Sequence, residues 1–180
     1  LLVTWFLGTQ TGPAVADGRV YLMDYVRTEG ELANDPNGRS HVSGSERILC
    51  FDATTGKALW KHEQVVPYEI SYASGPRCTP TVVDGLVYAL GAEGHLTCLD
   101  AKTGRVFWAK DFKREYAAPT PTWGFCGHPL VEGNLLICLV GGEGSVAVAI
   151  DRKTGKERWR ALTASESGYC PPTMIEVGGK

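Results

Sequence analysis

The sequence predicts an all-β chain assembled from consecutive four-stranded antiparallel units. Three observations carry that prediction: an eleven-residue pattern that occurs three times, a tight-hairpin signal ahead of each copy, and the lack of any useful length of helical periodicity.

The repeated pattern reads small-x-Asp-x-x-Thr-Gly-x-x-x-Trp. Its first copy runs from Cys50 to Trp60 through Asp52, Thr55 and Gly56. The second runs from Cys98 to Trp108 through Asp100, Thr103 and Gly104, and the third from Ala149 to Trp159 through Asp151, Thr154 and Gly155. The aspartates stand 48 and 51 residues apart, a period that accommodates about four short strands with their turns, as in the blades of a β-propeller. In each turn the Asp carboxylate can accept backbone N–H groups, Thr adds a hydroxyl, and Gly takes the left-handed conformation. A Trp side chain buries about 150–250 Å². At about 25 cal/mol per Å² that is an upper bound of roughly 4–6 kcal/mol, large enough for Trp60, Trp108 and Trp159 to act as spacers between blades.

The hairpin signal precedes each copy, as Val15 to Tyr21 around Asp17-Gly18, Val82 to Tyr88 around Asp84-Gly85, and Leu130 to Leu136 around Glu132-Gly133. Gly accepts the positive φ that such turns demand. Met174 to Gly179 begins the element a fourth time. Joined to the repeated pattern, it gives the second unit four strands: Thr79 to Val83, Leu86 to Gly91, His95 to Asp100, and Arg105 to Asp111. The chain therefore divides into blade 1 over about 12–66, blade 2 over about 78–114, blade 3 over about 127–163, and the start of a fourth blade over 169–180, all within one domain, 1–180. Leu1 and the closing Gly178-Gly179-Lys180 read as cuts in a longer protein.

This pattern resembles the tryptophan-docking motif of the PQQ-like β-propeller repeat family, which includes quinoprotein alcohol dehydrogenases and BamB, the propeller lipoprotein of the outer-membrane barrel assembly machinery. All three copies match at Asp, Thr, Gly and Trp. The resemblance implies a partial β-propeller of four-stranded antiparallel blades with tryptophan-docking motifs. It also implies an extracytoplasmic location, in the periplasm or cell envelope.

Composition narrows the function. Lys and Arg total 18 against 20 Asp and Glu, for a net charge of −2, so no whole-chain basic field exists to hold nucleic acid or an anionic membrane. Leu1 to Leu7 is apolar but falls far short of the roughly 20 residues of a membrane helix. Six cysteines without a C-x-x-C spacing suggest neither a disulfide scaffold nor structural zinc.

In an up-and-down meander, alternate connections emerge on opposite faces. The Asp-Gly and Thr-Gly turns form a plain face. The opposite, variable face receives the irregular segments: Asp24 to Arg47, Pro67 to Arg77 with Tyr68 and Tyr72, and Tyr116 to His128 with Trp123 and Phe125. Such loops on a rigid scaffold are the usual place for binding residues, and Arg77, Trp123 and His128 are the candidates for cofactor or ligand contact. The structural alternative makes the loop aromatics local cores between successive blades. Asp24 to Arg47 is expected to be a solvated, mobile loop turning at Asp35-Pro36-Asn37-Gly38. Its Glu29, Glu31, Asp35 and Asn37 lack the spacing of an EF-hand loop. Cys78, Cys126 and Cys170 each precede a proline and recur at similar radial positions, where a small apolar side chain fills a tight strand entrance.

Two functional classes follow. A non-catalytic binding or assembly scaffold, with a protein or small ligand on the variable face, fits the lack of a catalytic constellation; no residue carries a catalytic or metal-ligand assignment. The alternative is a quinoprotein dehydrogenase oxidising alcohols, for which the resemblance implies PQQ over the propeller centre, calcium held by Glu and Asn, and an Asp base. Against it, the sequence has no adjacent Cys-Cys pair, and its only asparagines are Asn34, Asn37 and Asn134. About three and a half blades leave open sheet edges, through which the isolated chain is expected to self-associate.

Overall fold

The structure, a computed structural model, describes residues 11–32 and 38–176. The first sheet runs β1 (Ala14–Ala16), β2 (Arg19–Glu29), β3 (Ser40–Asp52), β4 (Ala58–Val65), and a further strand, β5 (Tyr68–Ile70), pairs with the start of β3. The second runs β6 (Thr81–Val83), β7 (Leu86–Leu90), β8 (His95–Asp100), β9 (Val106–Asp111), followed by α1 (Phe112–Tyr116). The third runs β10 (Leu130–Glu132), β11 (Leu135–Leu139), β12 (Ala147–Asp151), β13 (Glu157–Ala161). All pairings are antiparallel between chain neighbours, apart from the extra β3–β5 pair, so each sheet is a meander.

Turn chemistry sets these boundaries. Asp17 and Gly18, and likewise Asp84 and Gly85, all have positive φ, the signature of the type I′ turn whose twist matches antiparallel strands. The third hairpin departs from the expectation. Glu132 pairs with Leu135, so the two-residue turn is Gly133-Asn134 rather than Glu132-Gly133. Only Gly133 in it has positive φ, as in type II′ turns, where Gly takes the first central position. At the next connection, Asp52 Oδ1 accepts from Thr54 N, Thr55 N and Thr55 Oγ1 at 3.1, 2.8 and 2.8 Å. Asp100 and Asp151 make the same three bonds in their own turns.

The sheets stack face to face. Tyr21, Met23, Ile48 and Cys50 meet Val87, Ala89, Leu99 and Ala101 of the second sheet. Tyr88, Leu90, Leu96 and Cys98 of the second sheet's other face share a core with Leu136, Cys138, Val148 and Ile150 of the third. Cross-strand register places Trp60 beside Cys50 and Trp108 beside Cys98, so each Trp faces the following sheet. There Trp60 Nε1 donates to Ala101 O at 3.0 Å, and Trp108 Nε1 to Arg152 O at 3.2 Å. Each ring lies against a glycine of the receiving turn: a Cβ on Gly104 would come within 2.7 Å of the Trp60 ring, and one on Gly155 within 2.9 Å of Trp108. Trp159 occupies the same place beside Ala149 and is 43% exposed.

Two expectations about the irregular segments are corrected. The Asp24–Arg47 segment is mostly strand, not loop: β2 and β3 pair from Asp24↔Arg47 through Arg27↔Gly44 and, past a register shift, to Glu29↔Ser43. The Asp24–Arg47 ion pair and the alternating burial of β3 hold the extension together, and Gly44 makes room for the Tyr25 ring, to which a Cβ would come within 2.7 Å. Asp35, Pro36 and Asn37 lie outside the described residues, while Glu29 and Glu31 are exposed. The one helix among the described residues, α1, follows β9 and is capped by Asp111, whose side chain accepts from Arg114 N; at five residues it leaves the all-β expectation standing. The second correction is that Pro67–Arg77 supplies the sheet-extending strand β5. Residues 169–176 contain no strand, and Gly178 and Gly179 lie outside the described residues.

Candidate functional site

The irregular segments converge on one side of the stack, and hydrogen bonds to backbone groups fix them there. Ser71 N donates to Thr122 O at 2.7 Å and Phe125 N to Ala92 O at 2.9 Å, tying the segments after β5 and α1 to the β7–β8 turn. Arg77 clamps this assembly. Its Nε donates to Trp123 O at 3.0 Å, Nη1 to Gly75 O at 2.8 Å, and Nη2 to Ser71 O and Tyr72 O at 2.9 and 2.7 Å. Burial pulls the guanidinium below its ordinary value.

Of the three candidates, Arg77 and Trp123 are brought together, through the Trp123 carbonyl rather than its ring. The Trp123 ring is 43% exposed and tilts against Tyr169 with centroids 5.0 Å apart. His128 sits elsewhere, half-buried in a crevice of about 410 Å³ with Thr79, Pro80, Thr81 and Pro129. Two of the other loop aromatics are core: Tyr68 is buried and stacked on Tyr25 at 4.0 Å, and Phe125 packs edge-on to Phe112 at 5.6 Å; Tyr72 is half-buried.

Two buried carboxylates complete the framework. Glu46 accepts from the Tyr68 hydroxyl at 2.6 Å and Ala92 N at 2.9 Å. Glu93, 1% exposed, accepts from Glu69 N at 2.6 Å, Lys113 Nζ at 2.7 Å and Thr120 Oγ1 at 2.8 Å. Residue-type reasoning passed over both. A signal existed for Glu46, which shares the inward phase of Val42, Gly44, Ile48 and Cys50 along β3; Glu93 sits in a turn and carries none.

Burial raises the thiols of Cys50, Cys78, Cys98, Cys126 and Cys138. Cys98 and Cys138 are each pushed up to about 12, and Cys78, which donates to Phe125 O at 3.4 Å, stands well above its ordinary value. Protonated thiols are poor nucleophiles and metal ligands. A PQQ–calcium site needs free cationic or amide donors for the quinone carboxylates and a cluster of oxygen ligands for the ion. The Arg77 donors already face protein carbonyls, so Arg77 does not fit that role, and among the described residues no group of three or more His, Cys, Asp or Glu side chains is placed to hold a metal ion.

Stacked four-stranded meanders, with Trp60 and Trp108 each set on the following turn, define a β-propeller built from sequence repeats. The family model described as outer membrane protein assembly factor BamB matches residues 44–170, and the chain belongs to this PQQ-like β-propeller repeat family. Quinohemoprotein alcohol dehydrogenase ADH-IIG of Pseudomonas putida is 27% identical over 175 residues, covering 92% of this chain and 21% of that protein. Outer membrane protein assembly factor BamB of Salmonella typhimurium is 37% identical over 78 residues, 41% of this chain and 20% of that protein. The solved quinohemoprotein alcohol dehydrogenase from Comamonas testosteroni superimposes with a TM-score of 0.51 at 22% identity, over 85% of this chain and 21% of its own, a likeness of fold. The chain thus spans about a fifth of the length of these relatives.

Proposed function

We propose that the chain is part of a non-catalytic binding or assembly propeller whose partner, a protein or small ligand, contacts the loop-bearing face. The Arg77 clamp carries this reading: the cation best suited to an anionic ligand donates to four protein carbonyls and fixes a platform from which the Trp123–Tyr169 pair projects. Rigid, partly exposed Trp and Tyr are the side chains that anchor interfaces. The Trp60 and Trp108 contacts are read as tryptophan docking, a structural role shared with the Asp and Thr of each turn, and blades 12–66, 78–114 and 127–163 as the units they join. An extracytoplasmic location follows the outer-membrane role named for the matching family.

One observation favours a second reading, a quinoprotein dehydrogenase using PQQ and calcium: the alcohol dehydrogenase relative aligns with 92% of the chain. Calorimetric titration of PQQ into the intact protein, with and without calcium, separates the two. The scaffold reading expects no saturable heat. Binding at about one site, weakened by Trp123→Ala or His128→Ala, overturns it.

A further inference from the structure

Strand alternation carries Glu46 into the joint between the first two sheets, where it is 2% exposed. Its Oε1 accepts the Tyr68 hydroxyl and the Ala92 N–H, and Oε2 takes Gln64 Nε2 at 3.4 Å. Oε2 lies so close to Gly91 that a Cβ there would come within 2.1 Å. No Lys or Arg forms an ion pair with Glu46 among the described residues. A carboxylate charge held in a dry joint without a cation is strongly disfavoured relative to the neutral acid.

The titratable groups around it come from every neighbouring element: Tyr25 of β2, Tyr68 of β5, His95 of β8, and Cys78 ahead of β6, with Glu93 acting on Tyr25 from the β7–β8 turn. Two side chains that can carry positive charge bear on this cluster: Arg77 on Tyr68 and Cys78, and His95 on Glu46 itself. The His95 Nδ1 is buried without a hydrogen-bond partner, and its Nε2 is 3.9 Å from Asp111 Oδ2. His95 and Gln64 line one crevice of about 230 Å³ at the rim of the two sheets. The His95 side chain is 30% exposed; Lys110, Asp111 and Arg114 share the crevice, and Gln64, which donates to Glu46 Oε2, stands between it and the carboxylate.

We propose that Glu46 is a proton-uptake site that makes the joint between the first two blades pH-sensitive, firm when the carboxyl is neutral and weakened when it ionises. The proton comes from solvent by way of the His95–Gln64 crevice. Burial raises the carboxyl above its ordinary value, opposed by the Tyr68 and Ala92 hydrogen bonds. Such a group binds its proton more tightly in the folded state. Its contribution to stability therefore grows as pH falls through the raised value and levels off near the unfolded Glu value of about 4.3. The joint bears on the β7–β8 turn and β5, so the loops above it are steadied or loosened whatever that face binds.

Infrared titration of the intact protein, following the carboxylic-acid C=O band, tests this beside the melting temperature as a function of pH. The expected result is a band that persists well above the ordinary Glu range and is missing in Glu46→Gln, whose melting temperature also changes less with pH. Tyr68→Phe keeps the ring against Tyr25 but withdraws a donor from the carboxylate, so the band is retained to higher pH. That variant gives the answer if Glu46→Gln fails to fold. A band lost at the ordinary Glu value, an unchanged band and melting profile in Glu46→Gln, or an unmoved band in Tyr68→Phe overturns the proposal.

Discussion

Replacing Gly104 by Ala separates two costs that glycine avoids in this fold. Gly104 and Gly85 share the same φ of +73°, but a Cβ on Gly85 meets nothing within 4 Å, whereas one on Gly104 would come within 2.7 Å of the Trp60 ring. The left-handed conformation alone costs a non-glycine residue about 1–2 kcal/mol, and that is the whole effect expected for Gly85→Ala. Gly104→Ala adds overpacking against an indole that also donates to Ala101 O, a further cost of about 1–3 kcal/mol. The expected total is about 2–5 kcal/mol. Urea unfolding of the two variants measures the difference as a larger fall in midpoint for Gly104→Ala. In a Trp60→Ala background the excess should vanish, because the contact it arises from has gone. Equal midpoints for Gly85→Ala and Gly104→Ala, or an excess that survives without Trp60, would refute the claim that the ring presses on this turn.

Other outcomes follow from the same contacts. Arg77→Ala removes charge-assisted bonds to four carbonyls and should cost about 1.5–3 kcal/mol, with new protease cleavage within 71–77 or 120–125. Uncut loops and an unchanged unfolding midpoint would deny the clamp. Hydrogen bonds from their own turns, and for Asp151 first of all from Arg158, lower the Asp52, Asp100 and Asp151 carboxyls. Their stabilisation is complete above the ordinary Asp value of about 3.9 and is lost as pH falls through the lowered values. Asp100→Asn should therefore flatten the acid limb of the melting profile, and an unaltered limb speaks against it. The isolated 180-residue chain should self-associate in sedimentation. Besides the edge strands β4, β9 and β13, the outer sheet faces expose Trp159 on the third sheet and Leu59 on the first. A monodisperse monomer that unfolds cooperatively contradicts this.

The sequence was most legible where structure is local and repeated. Asp-Gly and Asp-x-x-Thr-Gly turns satisfy themselves within a few residues, so Asp52, Asp100 and Asp151 could be placed before any tertiary contact was known. The third hairpin slipped by one residue because Glu132-Gly133-Asn134 offers two adjacent turn registers, and only strand pairing selects Gly133-Asn134. The long β2–β3 extension was hidden because its polar residues are paired across the sheet: Asp24 and Arg47 neutralise each other, and Glu46 lies buried under Tyr68. The candidate site was least legible. Whether Arg77 faces a ligand or its own loop depends on carbonyls as far along the chain as Trp123, which no residue pattern encodes.

Native-state hydrogen exchange at Ser71, Ala92 and Phe125 tests most directly whether the loop-bearing face is a fixed platform. Their N–H groups donate to Thr122 O, Glu46 Oε1 and Ala92 O, so they should be protected as strongly as the strand amides of β7 and β8. Exchange at the rate of an open surface loop would show that these segments are held only loosely, and would return Arg77 to the role of a free ligand-binding cation.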